Sequence, residues 1–137
     1  MSNYDDMEKR LETVLGSDTE VCSGNLAKWR GHLLKNLTFP LRVTGTEDFL
    51  WEEPYVFGGF DADEYEELKK TNPSYKDQFD LLGIGKPRAD DDDLVAKVRR
   101  VSDQKMFKID LSCLRATEEK ADAYTILDDY SVWQCNY

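Results

Sequence analysis

Four consecutive aspartates, Asp90 to Asp93, run directly into an alternating segment, Leu94–Val101. Adjacent carboxylates repel one another and cannot all be buried, so they either face water or gather around a cation. Calcium suits such a cluster: it takes about 6 to 8 oxygen ligands in flexible geometry, where magnesium demands a tighter octahedron. Glu47, Asp48, Asp61 and Asp63 are further ligand candidates if their turns meet the aspartate run in space. The competing reading keeps Asp90–Asp93 as a solvated loop and makes Asp61, with Glu64 three residues on, a helix cap. An EF-hand is not the answer. Asp61, Asp63 and Tyr65 begin like one, but Glu66 stands in place of the turn glycine and Asn72 in place of the bidentate glutamate.

Other chemistries find less support. His32 is the only histidine and has no acidic or nucleophilic neighbour in sequence; no glycine-rich phosphate loop is present. Cys22, Cys113 and Cys135 lack CxxC spacing and an electropositive setting, which reads as reduced thiols and not as zinc ligands or nucleophiles. Carboxylate pairs are plentiful, as in glycosidases, but a chain this short gives little room for a deep cleft. The expectation is a protein that is not an enzyme.

The charge is uneven. Residues 47–93 hold 15 Asp+Glu and 5 Lys+Arg, a net of −10, while the other 90 residues hold 13 of each and balance to zero. Acidity concentrated in the middle third fits a cation or a basic protein partner and argues against nucleic acid or an anionic membrane surface. No run approaches the roughly 18 apolar residues of a membrane span. The opening MSNYDDMEKRL is acidic and lacks the apolar core of a signal peptide, so a cytoplasmic location is expected.

The elements that must position these carboxylates follow from periodicity. At 137 residues and 40% hydrophobic, the chain supports a single domain, 1–137. Met7, Leu11, Val14 and Leu15 predict a helix over Tyr4–Leu15, ended by Gly16; Leu26, Trp29, Leu33 and Leu34 predict a second over about 25–35. Alternation in Asn36–Gly45 predicts a strand that Pro40 confines to an edge or a bulge. Phe49–Phe57 reads as a further strand bent at Pro54, and Gly58-Gly59 as a break. Residues 60–88 read as an insertion with two helices, one after Asp61 and one at Ser74–Leu82. Leu94–Val101 and Met106–Leu111 form a hairpin, followed by a tight connection carrying Leu111 and Leu114 inward. Tyr124–Tyr137 reads as a closing strand.

Taken together, the phrase Leu37-Thr38-Phe39-Pro40, the acidic stretch before a strand, the hairpin running into Ile109–Leu114 and the closing Asp129–Asn136 resemble the cyanobacterial-type calcium-binding proteins, the CcbP-like family. The match covers roughly 29–43 and 90–136. It implies a small SH3-like antiparallel β-barrel over 37–137; joined to the helical part over 1–36 and the helical insertion at about 60–88 read from periodicity, the expected fold class is α+β. It further implies a small acidic bacterial protein of the cytoplasm, acting as a calcium buffer or sensor, with Ca2+ held by surface carboxylates of which Asp90–Asp93 are the matching feature. The sequence departs from the family in that insertion and in Arg42 after the LxFP phrase. The alternative function is an acidic protein-interaction module, an inhibitor or immunity-like protein docking on a basic partner. Tyr55, Phe57 and Phe60 would then be exposed anchors instead of core.

Overall fold

A computed structural model describes residues 3–56 and 61–137. Helix α1 spans Asn3–Leu15 and buries Met7, Leu11 and Leu15, and Gly16 ends it in a left-handed conformation at φ 79°. Helix α2, Ser23–Asn36, buries Leu26, Trp29 and Leu33 but leaves Leu34 exposed, so its apolar stripe is narrower than the sequence spacing predicts. Strand β1, Leu41–Gly45, begins just after a cis Phe39–Pro40 peptide. Pro40 therefore stands ahead of the strand and removes no ladder donor. The expected edge position is corrected, because β1 pairs on both sides.

The next segment departs most from expectation. Over its described part, 49–56, the predicted strand Phe49–Phe57 does not form; a 3-10 turn, Leu50–Glu52, leads into the short helix α3, Glu53–Val56. Pro54 sits in the first turn of α3, where its missing N–H has no intrahelical partner to lose. Phe57, the Gly58-Gly59 break and Phe60 lie outside the described residues. Helix α4, Ala62–Leu68, forms as predicted, with Asp61 as its N-cap accepting from the Asp63 N–H at 2.8 Å. Glu64 does not complete a capping box; it accepts from the Tyr55 hydroxyl at 3.2 Å. The second predicted helix, Ser74–Leu82, is instead covered from Gln78 onward by strand β2, Gln78–Ile84. Phe79 and Leu81 alternate inward, and a bulge between Leu81 and Gly83 resets the register so that Ile84 is also buried.

The hairpin forms as predicted: β3 is Val95–Arg100, β4 is Met106–Asp110, and a single 3-10 turn, Leu111–Cys113, leads to β5, Leu114–Ala116. The closing segment is not a strand but helix α5, Asp122–Asn136. Leu127, Tyr130 and Trp133, three residues apart, share its buried face, and that is a helical period.

The five strands form one antiparallel sheet in the order β4-β3-β2-β1-β5. It is not closed into a barrel: β4 and β5 are its two edges. Yet only three residues join those edges. Four flat strand spacings of about 4.8 Å measure about 19 Å, while Asp110 to Leu114 reaches about 14 Å fully extended, so the sheet must coil. Its concave face buries Val43, Phe79, Leu81, Ala96, Val98 and Ile109. Trp29, Tyr130 and Trp133 meet in that core, with ring centroids 5.5 to 5.9 Å apart. The opposite face carries a cross-strand ladder in which Asp80 accepts from Arg42 at 3.0 Å and from Arg99 at 3.4 Å, holding its carboxyl below the ordinary value.

Candidate functional site

The aspartate run lies in the connection from β2 to β3. Gly85 N–H donates to the Val95 carbonyl at 2.9 Å and closes the base of this loop. A turn closes it again further out: the Asp91 N–H donates to the Arg88 carbonyl at 3.1 Å, and the Arg88 N–H donates to Asp91 Oδ2 at 2.7 Å. The Asp92 carbonyl accepts from Gln134 Nε2 of α5 at 3.0 Å. Within this frame the four aspartates diverge. Asp90 and Asp92 are exposed, Asp91 is half-buried, and Asp93 is turned inward beside the fully buried Leu94.

Asp93 is a structural hub. Its Oδ1 accepts from the Tyr130 hydroxyl at 2.5 Å and from the Ser112 N–H at 3.4 Å; its Oδ2 accepts from Ser112 Oγ at 2.5 Å. The Tyr130 oxygen accepts in turn from the Leu94 N–H at 2.8 Å. One carboxylate thus ties the entry to β3, the turn after β4 and the middle of α5. Burial raises the Asp93 carboxyl above the ordinary carboxylate value, against the opposing pull of its donors.

The residue that sequence reasoning missed is Asp110. The hairpin register pairs it with Val95, two residues beyond Asp93, so the strand alternation itself could have located it. Its carboxyl is raised by desolvation first, then by Asp92 and Asp91. These three carboxylates share one electrostatic neighbourhood. Asp110 also lines a shallow groove that contains Glu47, Asp48 and Glu53, which brings it near the predicted ligands of the β1–α3 connection. Asp61 and Asp63 sit at the start of α4, where Asp61 is occupied as a cap. Among the described residues, no three or more histidine, cysteine, aspartate or glutamate side chains are arranged to hold a metal ion. The donors have the hard-oxygen chemistry that calcium takes, but they form no ready-made cage.

Two buried polar residues fix the loops around this region. Glu52 is fully buried and accepts from Ser74 Oγ at 2.7 Å, Tyr65 Oη at 2.7 Å, Tyr75 N–H at 2.8 Å and Phe49 N–H at 3.4 Å. Desolvation and this contact push the Tyr65 hydroxyl up to about 12. Arg100 is the second: it pairs with Asp103 at 2.7 Å and Asp77 at 3.1 Å, and it donates to the carbonyls of Lys69, Lys70 and Asn72 that follow α4. Tyr55 is half-buried and stacked on Tyr65, with ring centroids 5.3 Å apart. His32 packs edge-on against Trp29, and burial lowers its pKa. Cys22, Cys113 and Cys135 are free thiols. Among the described residues, no helix is long and apolar enough to cross a membrane.

No protein-family model matches the chain, and no curated protein sequence matches it. Two solved structures share its fold over nearly the whole length. One is Anabaena CcbP, at 20% identity and a TM-score of 0.59, covering 97% of this chain and 92% of that one. The other is a calcium-binding protein in its calcium-binding form, at 20% identity and a TM-score of 0.61, covering 98% of this chain and 96% of that one. The fold likeness expected from the LxFP and closing phrases is therefore present.

Proposed function

We propose that this protein binds calcium through surface carboxylates, without an EF-hand, and serves as a calcium buffer or sensor. The observation that supports this best is the fold match, over nearly the full chain, to a protein in its calcium-binding form. The coiled sheet, with its two edges joined by one 3-10 turn, is read as an SH3-like barrel left open between β4 and β5.

Within that reading, Asp91, Asp92 and Asp110 are the central ligands. Desolvation, and after it the fields of Asp92 and Asp91, raise the Asp110 carboxyl, and a divalent cation between the three would offset that cost of charge. Asp90 extends the cluster at the loop tip, and Glu47 and Asp48 can add oxygens from the groove that Asp110 lines. Asp93 serves as a positioning residue, since both its oxygens already accept hydrogen bonds from the fold. Asp61 and Asp63 belong to the start of α4 and have no central part.

The test is calorimetric titration of the metal-stripped protein with calcium, at about 0.15 M salt and with magnesium in excess. Saturable binding of one or two ions, tighter than millimolar, is expected. Asp91→Asn, Asp92→Asn and Asp110→Asn should each weaken it about tenfold while leaving the circular dichroism unchanged. Weak, non-saturating heat from the folded protein would overturn the reading.

A further inference from the structure

The groove beside Asp110 has features that calcium binding does not require. Leu50 stands at its edge with 83% of its surface exposed, the most exposed of the large apolar side chains among the described residues. Leu50 is not on a loose loop: its neighbour Glu52 is locked by four hydrogen bonds, and Trp51 Nε1 donates to the Pro73 carbonyl at 2.7 Å. A leucine held rigidly in water costs free energy that partner burial would recover. Phe49 and Ile109, each 8% exposed, also line the groove, and its cavity volume is about 320 Å³. Four carboxylates, Glu47, Asp48, Glu53 and Asp110, surround this apolar surface against a single ammonium, Lys108.

We infer that this groove docks a basic peptide segment carrying an apolar residue. The apolar side chain packs on Leu50 and Trp51, and flanking lysines or arginines meet the surrounding carboxylates. The charge excess selects the sign of the partner and steers its approach, while the leucine and the indole supply the contact. Tyr55 and Tyr65 pack against Trp51, with ring centroids 6.3 and 5.7 Å from it, and help hold the indole in place. The same carboxylates repel a phosphate backbone, so nucleic acid is a poor occupant.

The experiment selects random nonapeptides by display on the full chain in EDTA, which separates the result from calcium binding, with counter-selection on a Leu50→Glu variant. Recovered peptides are then titrated by tryptophan emission. Trp51 is half-buried and lines the groove, whereas Trp29 and Trp133 are 1% and 0% exposed, so the groove indole reports. The expected peptides combine two or more Lys or Arg with a Leu, Met or Phe. Their affinity should fall at least about tenfold in Leu50→Glu, and also in Leu50→Ser, which keeps the charge and serves if the glutamate perturbs folding. A combined Glu47→Gln, Asp48→Asn, Glu53→Gln variant should weaken binding severalfold and flatten its salt dependence. Failure to enrich any sequence over counter-selection, enrichment of neutral or acidic peptides, equal binding by the Leu50 variants, or dimerisation through this face in place of peptide capture would each overturn the inference.

Discussion

Asp93 offers the sharpest test, because its alanine and asparagine substitutions differ in both the size and the pH dependence of their effect if it is a positioning residue. Alanine removes the acceptor of the Tyr130 hydroxyl, which is fully buried, and of Ser112 Oγ, which is half-buried. Hydrogen bonds to a charged group contribute about 1.5–3 kcal/mol each, and a buried hydroxyl left without an acceptor costs about 1–3 kcal/mol. The 3.4 Å contact from the Ser112 N–H adds little. Asp93→Ala should therefore lose about 3 kcal/mol, or about 10 °C in melting temperature for a chain of this length. Asparagine keeps an oxygen for Tyr130 and turns its amide toward Ser112 Oγ, whose hydroxyl can rotate to accept; the loss should stay under about 1 kcal/mol. The pH dependence follows from the raised native carboxyl. Above the unfolded value the native state binds the extra proton, so this contribution to stability is full at low pH and is lost as pH rises through the native pKa. Asp93→Asn lacks that loss and should gain on the wild type between pH 4 and pH 7. Urea unfolding of the three proteins at both pH values decides the matter. Asparagine proving as damaging as alanine at pH 7, or a wild-type-to-asparagine difference that does not change with pH, would refute the reasoning.

Three further substitutions test the frame that carries the carboxylates. Arg100→Met leaves Asp77 and Asp103 without their buried cation and the carbonyls after α4 without a donor. It should cost about 3–5 kcal/mol in urea unfolding and expose the α4 region to limited proteolysis before the sheet unfolds; a loss below about 1 kcal/mol would show that the pair is not holding α4. Gly45→Ala places a Cβ 2.6 Å from Tyr75 Cα and Cβ and 2.8 Å from the Tyr75 carbonyl oxygen, so backbone must move. It should cost at least about 2 kcal/mol. Gly31→Ala, within α2 and with nothing within 4 Å of the added methyl, should instead stabilise by about 0.5–1 kcal/mol in the same urea unfolding. Equal effects from the two glycine changes would contradict the packing described for Tyr75.

Legibility followed the strength of the local period. The β3–β4 hairpin and helices α1 and α2 were readable because one periodicity ran through each without competition. Strand β2 was not readable. Its bulge at Leu81/Gly83 breaks the alternation, and Tyr75, Phe79 and Leu82 happen to fall at helical spacing. Helix α5 failed for the opposite reason. Tyr, Thr, Ile, Val and Trp are strand-favouring residues, and tertiary packing of Leu127, Tyr130 and Trp133 against the sheet overrides that preference. The segment after β1 reads as a strand by its aromatics, but the buried Glu52 carboxylate, gathering donors up to 23 positions away in sequence, stabilises a turn and a helix there. No window of sequence contains those partners.

The same distinction governs the candidate site. Four identical aspartates look like one chemical unit, but they lie in the turn before β3, and the packing of α5 decides which one faces inward. Asp93 meets Tyr130 because the aromatic face of α5 lies across the entry to β3, a contact between residues 37 positions apart. Once Asp93 is committed there, the cluster facing water is Asp90–Asp92 with Asp110, which the hairpin register supplies from the far strand. Adjacency alone therefore groups Asp93, whose oxygens already accept hydrogen bonds within the fold, with its neighbours and leaves out Asp110, whose carboxyl is raised by desolvation and then by Asp92 and Asp91. The physically coherent unit is defined by the ladder and by desolvation. It joins the end of β4 to the loop before β3, so that a cation bound between them would bridge both strands of the hairpin at its open end.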